Sequence, residues 1–192
     1  LQVEAKLHAA FDGAWHVDGH VARTSGDLSV SELAQDPAAV QQRLGLSAAV
    51  LQVKAEGIHW TADANVVGTR LGELSGTWTA EAPSPASLPA AGSPLRGHID
   101  AHVADMNVWG TWLPPGWRLG GELRTSLALS GQWGAPRITG ELTAQRFVVR
   151  NALEGVYAHD GDVAIRLTGD QATIERFRVL GGNGELTLAG SA

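Results

Sequence analysis

The sequence predicts an all-β chain of antiparallel, half-buried strands, and three observations carry that expectation. Apolar residues recur at every second position over most of the length, whereas a helix would space them at three and four. Twenty-four glycines punctuate the alternating stretches where turns belong. No apolar run approaches the ~20 residues that a membrane-spanning helix needs.

The elements follow in order. The opening "LQVEAKLHAAF" puts Leu1, Val3, Ala5, Leu7, Ala9 and Phe11 on one face. A turn at "DGA" leads into Trp15, Val17, Gly19 and Val21 on the same pattern. One helix is expected over "DPAAVQQRLG", residues 36–45. There Asp36 caps, Pro37 fits the first turn and Gly45 ends the segment. Val40 and Leu44, at i and i+4, would face the sheet and plug an end or edge of it. Ile58, Trp60, Ala62, Ala64 and Val66 form the next stripe. The segment 81–94, "EAPSPASLPAAGSP", holds four of the eight prolines and no alternation, so it reads as a long loop or a linker between two domains, with a mobile excursion from one β-structure preferred. Because the pattern is the same on both sides, residues 1–192 read as one β-structure. The stripes resume with Ile99 and Val103, then run longest through Leu123, Leu127 and Leu129 to Trp133. Val163, Ile165, Leu167, Ile174, Leu186 and Leu188 complete them. Both ends of the chain fall inside strand pattern, which reads as a fragment of a longer β-rich protein.

Composition removes several function classes. A net charge of −6 with only 18% charged residues argues against a nucleic-acid partner, which would need clustered Lys and Arg. The chain has no cysteine, so neither a disulfide framework nor a thiolate metal site is available. Sequence signatures of hydrolases, zinc proteases and phosphate-binding loops are absent, and the chain reads as a non-enzyme without a cofactor. The acids Asp160 and Asp162 flank Gly161 and read as hairpin-turn chemistry.

Two near-repeats, "HVDGHVA" at 16–22 and "HIDAHVA" at 98–104, invite a metal reading. On a strand His16, Asp18 and His20 point the same way, as do His98, Asp100 and His102, about 7 Å between alternate side chains. Imidazole with carboxylate suits zinc. The same spacing is what a solvated strand face produces when Val17, Val21, Ile99 and Val103 fill the inward positions, and this second reading is the expectation. The seven tryptophans, against one tyrosine and three phenylalanines, are the other marked feature. In "MNVWGTWLPPGW", residues 106–117, they read either as an interface or sugar-stacking surface or as a short helical turn covering the end of a core; the cover is favoured.

Long alternating strands leave more apolar face than one short helix can bury. The face must close as a barrel or sandwich, or curl into a groove that holds something apolar. Recurrent glycine inside the stripes points to strong twist or close backbone approach.

Here a resemblance enters. The stretch 119–142, with Gly131, Trp133, Pro136 and Gly140 spaced as GxWxxPxxxG, resembles the C-terminal region of the TamB family of translocation and assembly modules, distantly related to AsmA-type proteins. So does 155–190, with its Asp160-Gly161 pair and Gly181, Gly182, Gly184 and Leu186 as GGxGxL. The resemblance spans about 95–192 and implies a β-taco, a curled sheet with an apolar concave groove. It further implies the periplasmic portion of an inner-membrane-anchored protein of the Gram-negative envelope. The partners it implies are a TamA-like outer-membrane barrel of the Omp85 type, and either phospholipid or unfolded outer-membrane protein strands, as in autotransporter assembly. The expected groove wall is Val17, Val21, Trp60, Ile99, Val103, Leu123, Leu127, Leu129, Val163, Ile165, Leu167, Ile174, Leu186 and Leu188. A β-strand holdase and a carbohydrate-binding or β-helical enzyme are the alternatives; no acidic pair set beside the tryptophans supports the last.

Overall fold

The computed structural model describes residues 1–31, 41–114 and 116–191. Eleven strands form one antiparallel meander: β1 (Gln2–Phe11), β2 (Trp15–Ser25), β5 (Leu46–Glu56), β6 (His59–Gly68), β7 (Gly72–Glu81), β8 (Leu95–Val103), β9 (Trp117–Gln132), β10 (Ala135–Asn151), β11 (Val156–Gly169), β12 (Gln171–Gly181) and β13 (Gly184–Ser191). The connection between β2 and β5 carries a separate ribbon of β3 (Ser29–Ser31) and β4 (Gln41–Arg43). The large sheet is curled and does not close, since β1 and β13 each have one strand neighbour.

The register explains why one face is apolar across the whole sheet. Directly opposed residues share a face, and a row can be followed from Val21 through Leu51, Ala64, Gly76, Ile99, Leu127 and Gly140 to Leu167. A parallel row on the other face runs from His20 through Gln52, Asp63 and Thr77 to His98. A slip of one residue in any pair would turn a strand inside out.

Curling is built in by bulges, which bend a strand and increase its twist. The β9–β10 register shifts between Gln145 and Val148, where Arg146 takes φ 49° opposite Gly121 at φ 104°. An added Cβ at Gly121 would lie 2.6 Å from the Arg146 carbonyl oxygen, so the bulge needs glycine there. A second bulge corrects the reading of Asp160-Gly161: the pair lies inside β11, not in a hairpin turn, with Asp160 at φ 52°. Gly161 is buried, and its hypothetical Cβ would sit 2.8 Å from Phe147 Cβ, so the glycine serves close strand approach.

The expected helix over 36–45 is also corrected. Residues 36–40 lie outside the described residues, and Gln41–Arg43 are strand. Asp27, in place of a helix cap, organises this connection: its carboxylate accepts from the N–H groups of Leu28 (2.8 Å), Gly45 (3.1 Å) and Leu46 (2.8 Å). Those donors, Leu46 foremost, hold its pKa below the usual carboxylate range. The short helix among the described residues is a 3-10 turn at Met106–Trp112, opened by Asp105 accepting from Asn107 N–H at 3.0 Å.

The core sits under that turn. Met106 packs with Val103, Ala144 and Val163, with Trp109, Leu119, Leu123, Phe147, Ile165 and Phe177 around them. The tryptophan-rich segment thus covers one end of the apolar face over β8–β12. On the opposite face, ion pairs cross the strands: Arg166 reaches Glu141 (2.9 Å) and Glu175 (2.5 Å), Arg176 reaches Asp162 (2.7 Å), and Arg178 reaches Glu185 (2.8 Å).

Candidate functional site

Away from the 3-10 turn, the apolar face opens into a trough of about 590 Å³ spanning β5 to β9. Its walls are Leu51 and Val53 of β5, Trp60 and Ala62 of β6, Trp78 and Ala80 of β7, Leu95 of β8 and Leu129 of β9. Trp133 from the β9–β10 turn and Leu88 and Pro89 from the 82–94 loop complete it. Among the described residues no lining residue carries a charge, and the side-chain hydroxyls are those of Thr61 and Thr79. Four strand intervals of ~4.8 Å make it about 19 Å across the strands, the length of a long fatty-acyl chain.

The glycines in the stripes acquire a specific reason here. A Cβ at Gly76 would lie 2.7 Å from Trp78 Cη2, and one at Gly97 would lie 2.8 Å from Trp78 Cδ1. The indole therefore lies flat on the backbone of β7 and β8, with glycine beneath both ends, and presents its π face to the trough. Trp60 stands opposite Ala55 and Ala80, both buried. Its indole N–H is shielded from solvent without an acceptor among the described residues, a cost of about 1–3 kcal/mol carried in the trough wall.

The expected wall residues all lie on this apolar face, but the structure divides them into three environments. Trp60 and Leu129 line the trough. Val17, Ile99, Leu127, Leu167 and Ile174 are half-buried along the face beyond it, and Val21, Leu186 and Leu188 are exposed towards the outer strands. Val103, Leu123, Val163 and Ile165 belong to the core under the 3-10 turn, so they are roofed over and form no open wall. Sequence reasoning missed Trp78, Leu51, Leu88, Pro89 and Trp133 as trough residues. Trp78 falls in the same alternation as Leu74 and Ala80, and that signal was available; the fold-back of Leu88 and Pro89 had none.

The 82–94 loop is bolted down, contrary to its reading as a mobile excursion. Ala82 N–H donates to the Ile58 carbonyl (2.8 Å), and Ser93 and Ala91 carbonyls accept from Trp133 N–H (2.8 Å) and Gly134 N–H (2.8 Å). Ala82 and Ser93 are buried. Prolines at 83, 85, 89 and 94 lower the entropy lost in holding such a loop.

The histidines lie on the other face. His16 meets Asp12 (3.3 Å), His98 meets Asp100 (2.9 Å), and His102 meets Glu122 (2.9 Å); His20 Nδ1 lies 3.4 Å from the Gln52 amide nitrogen. Strands β2 and β8 are four positions apart in the sheet, about 19 Å at ~4.8 Å per step, so the two repeats do not meet. Among the described residues no three His, Asp or Glu side chains are grouped to hold a metal ion. A hollow of about 620 Å³ between β6 and β10 on this face is lined by Glu73, Asp100, His102, Arg124 and Glu141 among others, with charges of both signs.

Glu122 organises that side. Its side chain, 15% exposed, is met by Arg124 (2.5 Å), His102 (2.9 Å) and Arg146 (3.1 Å). Hydrogen bonds from Arg124 first and His102 second hold its pKa below the usual carboxylate range. The left-handed Arg146 brings its guanidinium to this carboxylate, so the bulge and the ion cluster support each other. The arrangement is a structural tie between β8, β9 and β10.

No protein-family model matches the chain, and no curated protein or solved structure does either.

Proposed function

We propose that the chain is a non-catalytic β-groove segment that shields apolar chains from water, holding phospholipid acyl chains or the apolar side of an outer-membrane protein strand in transit. The observation that carries this reading is the uncharged trough across β5–β9. Each methylene kept from water there is worth about 0.8 kcal/mol, which holds a lipid tail without a specific polar pocket. Headgroups would stay in solvent, since the trough offers them no charge.

The motifs at 119–142 and 155–190 favour placing this activity in a TamB-like protein of the periplasm, between the inner membrane and a TamA-like barrel. Its use would then be phospholipid transport and outer-membrane biogenesis. The holdase reading has one observation of its own: β1 and β13 each pair on one side only within the chain, and a free edge accepts an extended strand by β-augmentation.

Solvent extraction of the purified chain separates the readings. Phospholipid recovered reproducibly from the chain, and lost from a Leu129→Glu variant, supports lipid shielding. No lipid together with tight binding of barrel-derived peptides supports the holdase, and neither result sinks both.

A further inference from the structure

The turns at one end of the sheet are tied into a single rim. Trp15 N–H donates to the Pro85 carbonyl (2.9 Å), Gly57 N–H to the Trp15 carbonyl (2.9 Å), and Ala82 N–H to the Ile58 carbonyl (2.8 Å). At the far side of the trough, Trp133 and Gly134 are bonded to the same 82–94 loop. The β1–β2, β5–β6, β7–β8 and β9–β10 connections thus run side by side along the trough's edge.

This rim exposes large apolar side chains beside the trough. Phe11 is 55% exposed, Leu88 58% and Trp133 54%. Trp15 stands against Phe11 with ring centroids 5.1 Å apart. At the opposite end the 3-10 turn folds Met106 and Val108 into the interior, and the apolar side chains exposed there, Leu28, Leu153 and Tyr157 among them, do not line the trough. Clustered aromatic and leucine side chains exposed on one rim are the residue types that settle at a membrane–water interface.

Charge selects the surface. In and beside these turns Asp12, Glu56 and Glu81 are balanced by Lys54, Arg96 and Arg137, with His16 and His59 between them. Attraction to an anionic leaflet needs a cluster of Lys and Arg, and among the described residues the bases of this rim are spread over separate turns and matched by acids, on a chain of net charge −6. A rim of balanced charge fits electroneutral, zwitterionic headgroups, which offer both a phosphate and an amine.

We propose that this rim is a port: it seats on a zwitterionic phospholipid surface, and apolar chains enter the trough across it, between the β5–β6 and β9–β10 turns. The inference rests on the trough being a site for apolar chains. It adds where the cargo enters and which surface supplies it.

The test uses the full chain with phosphatidylcholine vesicles whose acyl chains are brominated, reading tryptophan quenching and co-sedimentation. Phe11→Asp is the probe because Phe11 lies on the rim but does not line the trough. Leu153→Asp, at the opposite end and 86% exposed, is the control. Phe11→Asp weakens vesicle association at least tenfold, Phe11→Gln does so in the same direction, and Leu153→Asp leaves it unchanged. Uptake of a water-soluble short-chain fluorescent lipid stays at the wild-type level in Phe11→Asp, since the trough is intact. The port is overturned if Phe11→Asp and Phe11→Gln, with native circular dichroism, bind vesicles like wild type. It is also overturned if Leu153→Asp costs as much, or if wild type binds only vesicles containing phosphatidylglycerol. If wild type takes up no short-chain lipid, the trough reading itself fails, and the port with it.

Discussion

Replacing Gly76 with alanine tests the packing that shapes the trough. Gly76 has no left-handed φ to protect, so the backbone accepts alanine, and removing a mid-strand glycine gains about 0.5–1 kcal/mol. Against that, the new Cβ sits 2.7 Å from Trp78 Cη2 and 2.8 Å from Cζ2. Ordinary carbon contacts begin near 3.5 Å, so the indole must lift by roughly 0.8 Å. Overpacking of this kind costs about 1–3 kcal/mol, and the net expectation is a loss of about 1 kcal/mol, or roughly 2–4 °C in a domain of this size. Gly97→Ala is worse: its Cβ meets Trp78 Cδ1 at 2.8 Å and the Thr77 carbonyl oxygen at 2.7 Å. Tilting the ring relieves the first contact and not the second, so a loss of about 2–3 kcal/mol follows. Urea unfolding of both variants, alone and with Trp78→Ala, measures this. Removing Trp78 should make Gly76→Ala neutral or stabilising while Gly97→Ala still costs stability, a coupling of the size expected for residues in contact. If Gly76→Ala is as stable as wild type with Trp78 present, the flat-indole account is wrong.

Three other outcomes follow from the same structure. Met106→Ala, which empties the centre of the core under the 3-10 turn, lowers stability by about 2–5 kcal/mol in urea titrations and raises binding of an apolar dye as that end opens. Asn151→Ala loses the acceptor for Leu153 N–H (3.0 Å) and Glu154 N–H (3.3 Å) at a side chain 1% exposed, costing about 2 kcal/mol, read as a drop in thermal midpoint. Glu122, its pKa depressed in the fold by Arg124 and His102, contributes stability that is fully present above its unfolded-state value. That contribution is lost as pH falls through the lower folded value. The gap in urea midpoint between wild type and Glu122→Gln is therefore wide at pH 7 and closes in acid; a gap independent of pH would refute this.

Strands and their inward faces were legible in the sequence because one buried face imposes a period of two, and Val21, Ile99, Leu127 and Leu167 obey it without exception. Connections were not, because their conformation is set by partners far along the chain. Asp160-Gly161 has the composition of a turn, yet Phe147 across the sheet makes it a bulge. Leu44 and Gly45 look like the end of a helix, yet Asp27, far upstream, holds the N–H groups of Gly45 and Leu46. The trough itself was half legible: alternation marks Trp60 and Leu129, but which stretches of the face lie open depends on where the 3-10 turn and the 82–94 loop fold over it.

A photoreactive side chain placed on each face in turn tests the central claim most directly. With the crosslinker at Leu129 or Trp78, in the trough, irradiation in the presence of phospholipid should give lipid adducts by mass spectrometry; at Ser126 or His98, on the polar face, it should give none. Equal labelling from both faces, or none from the trough, would contradict the account.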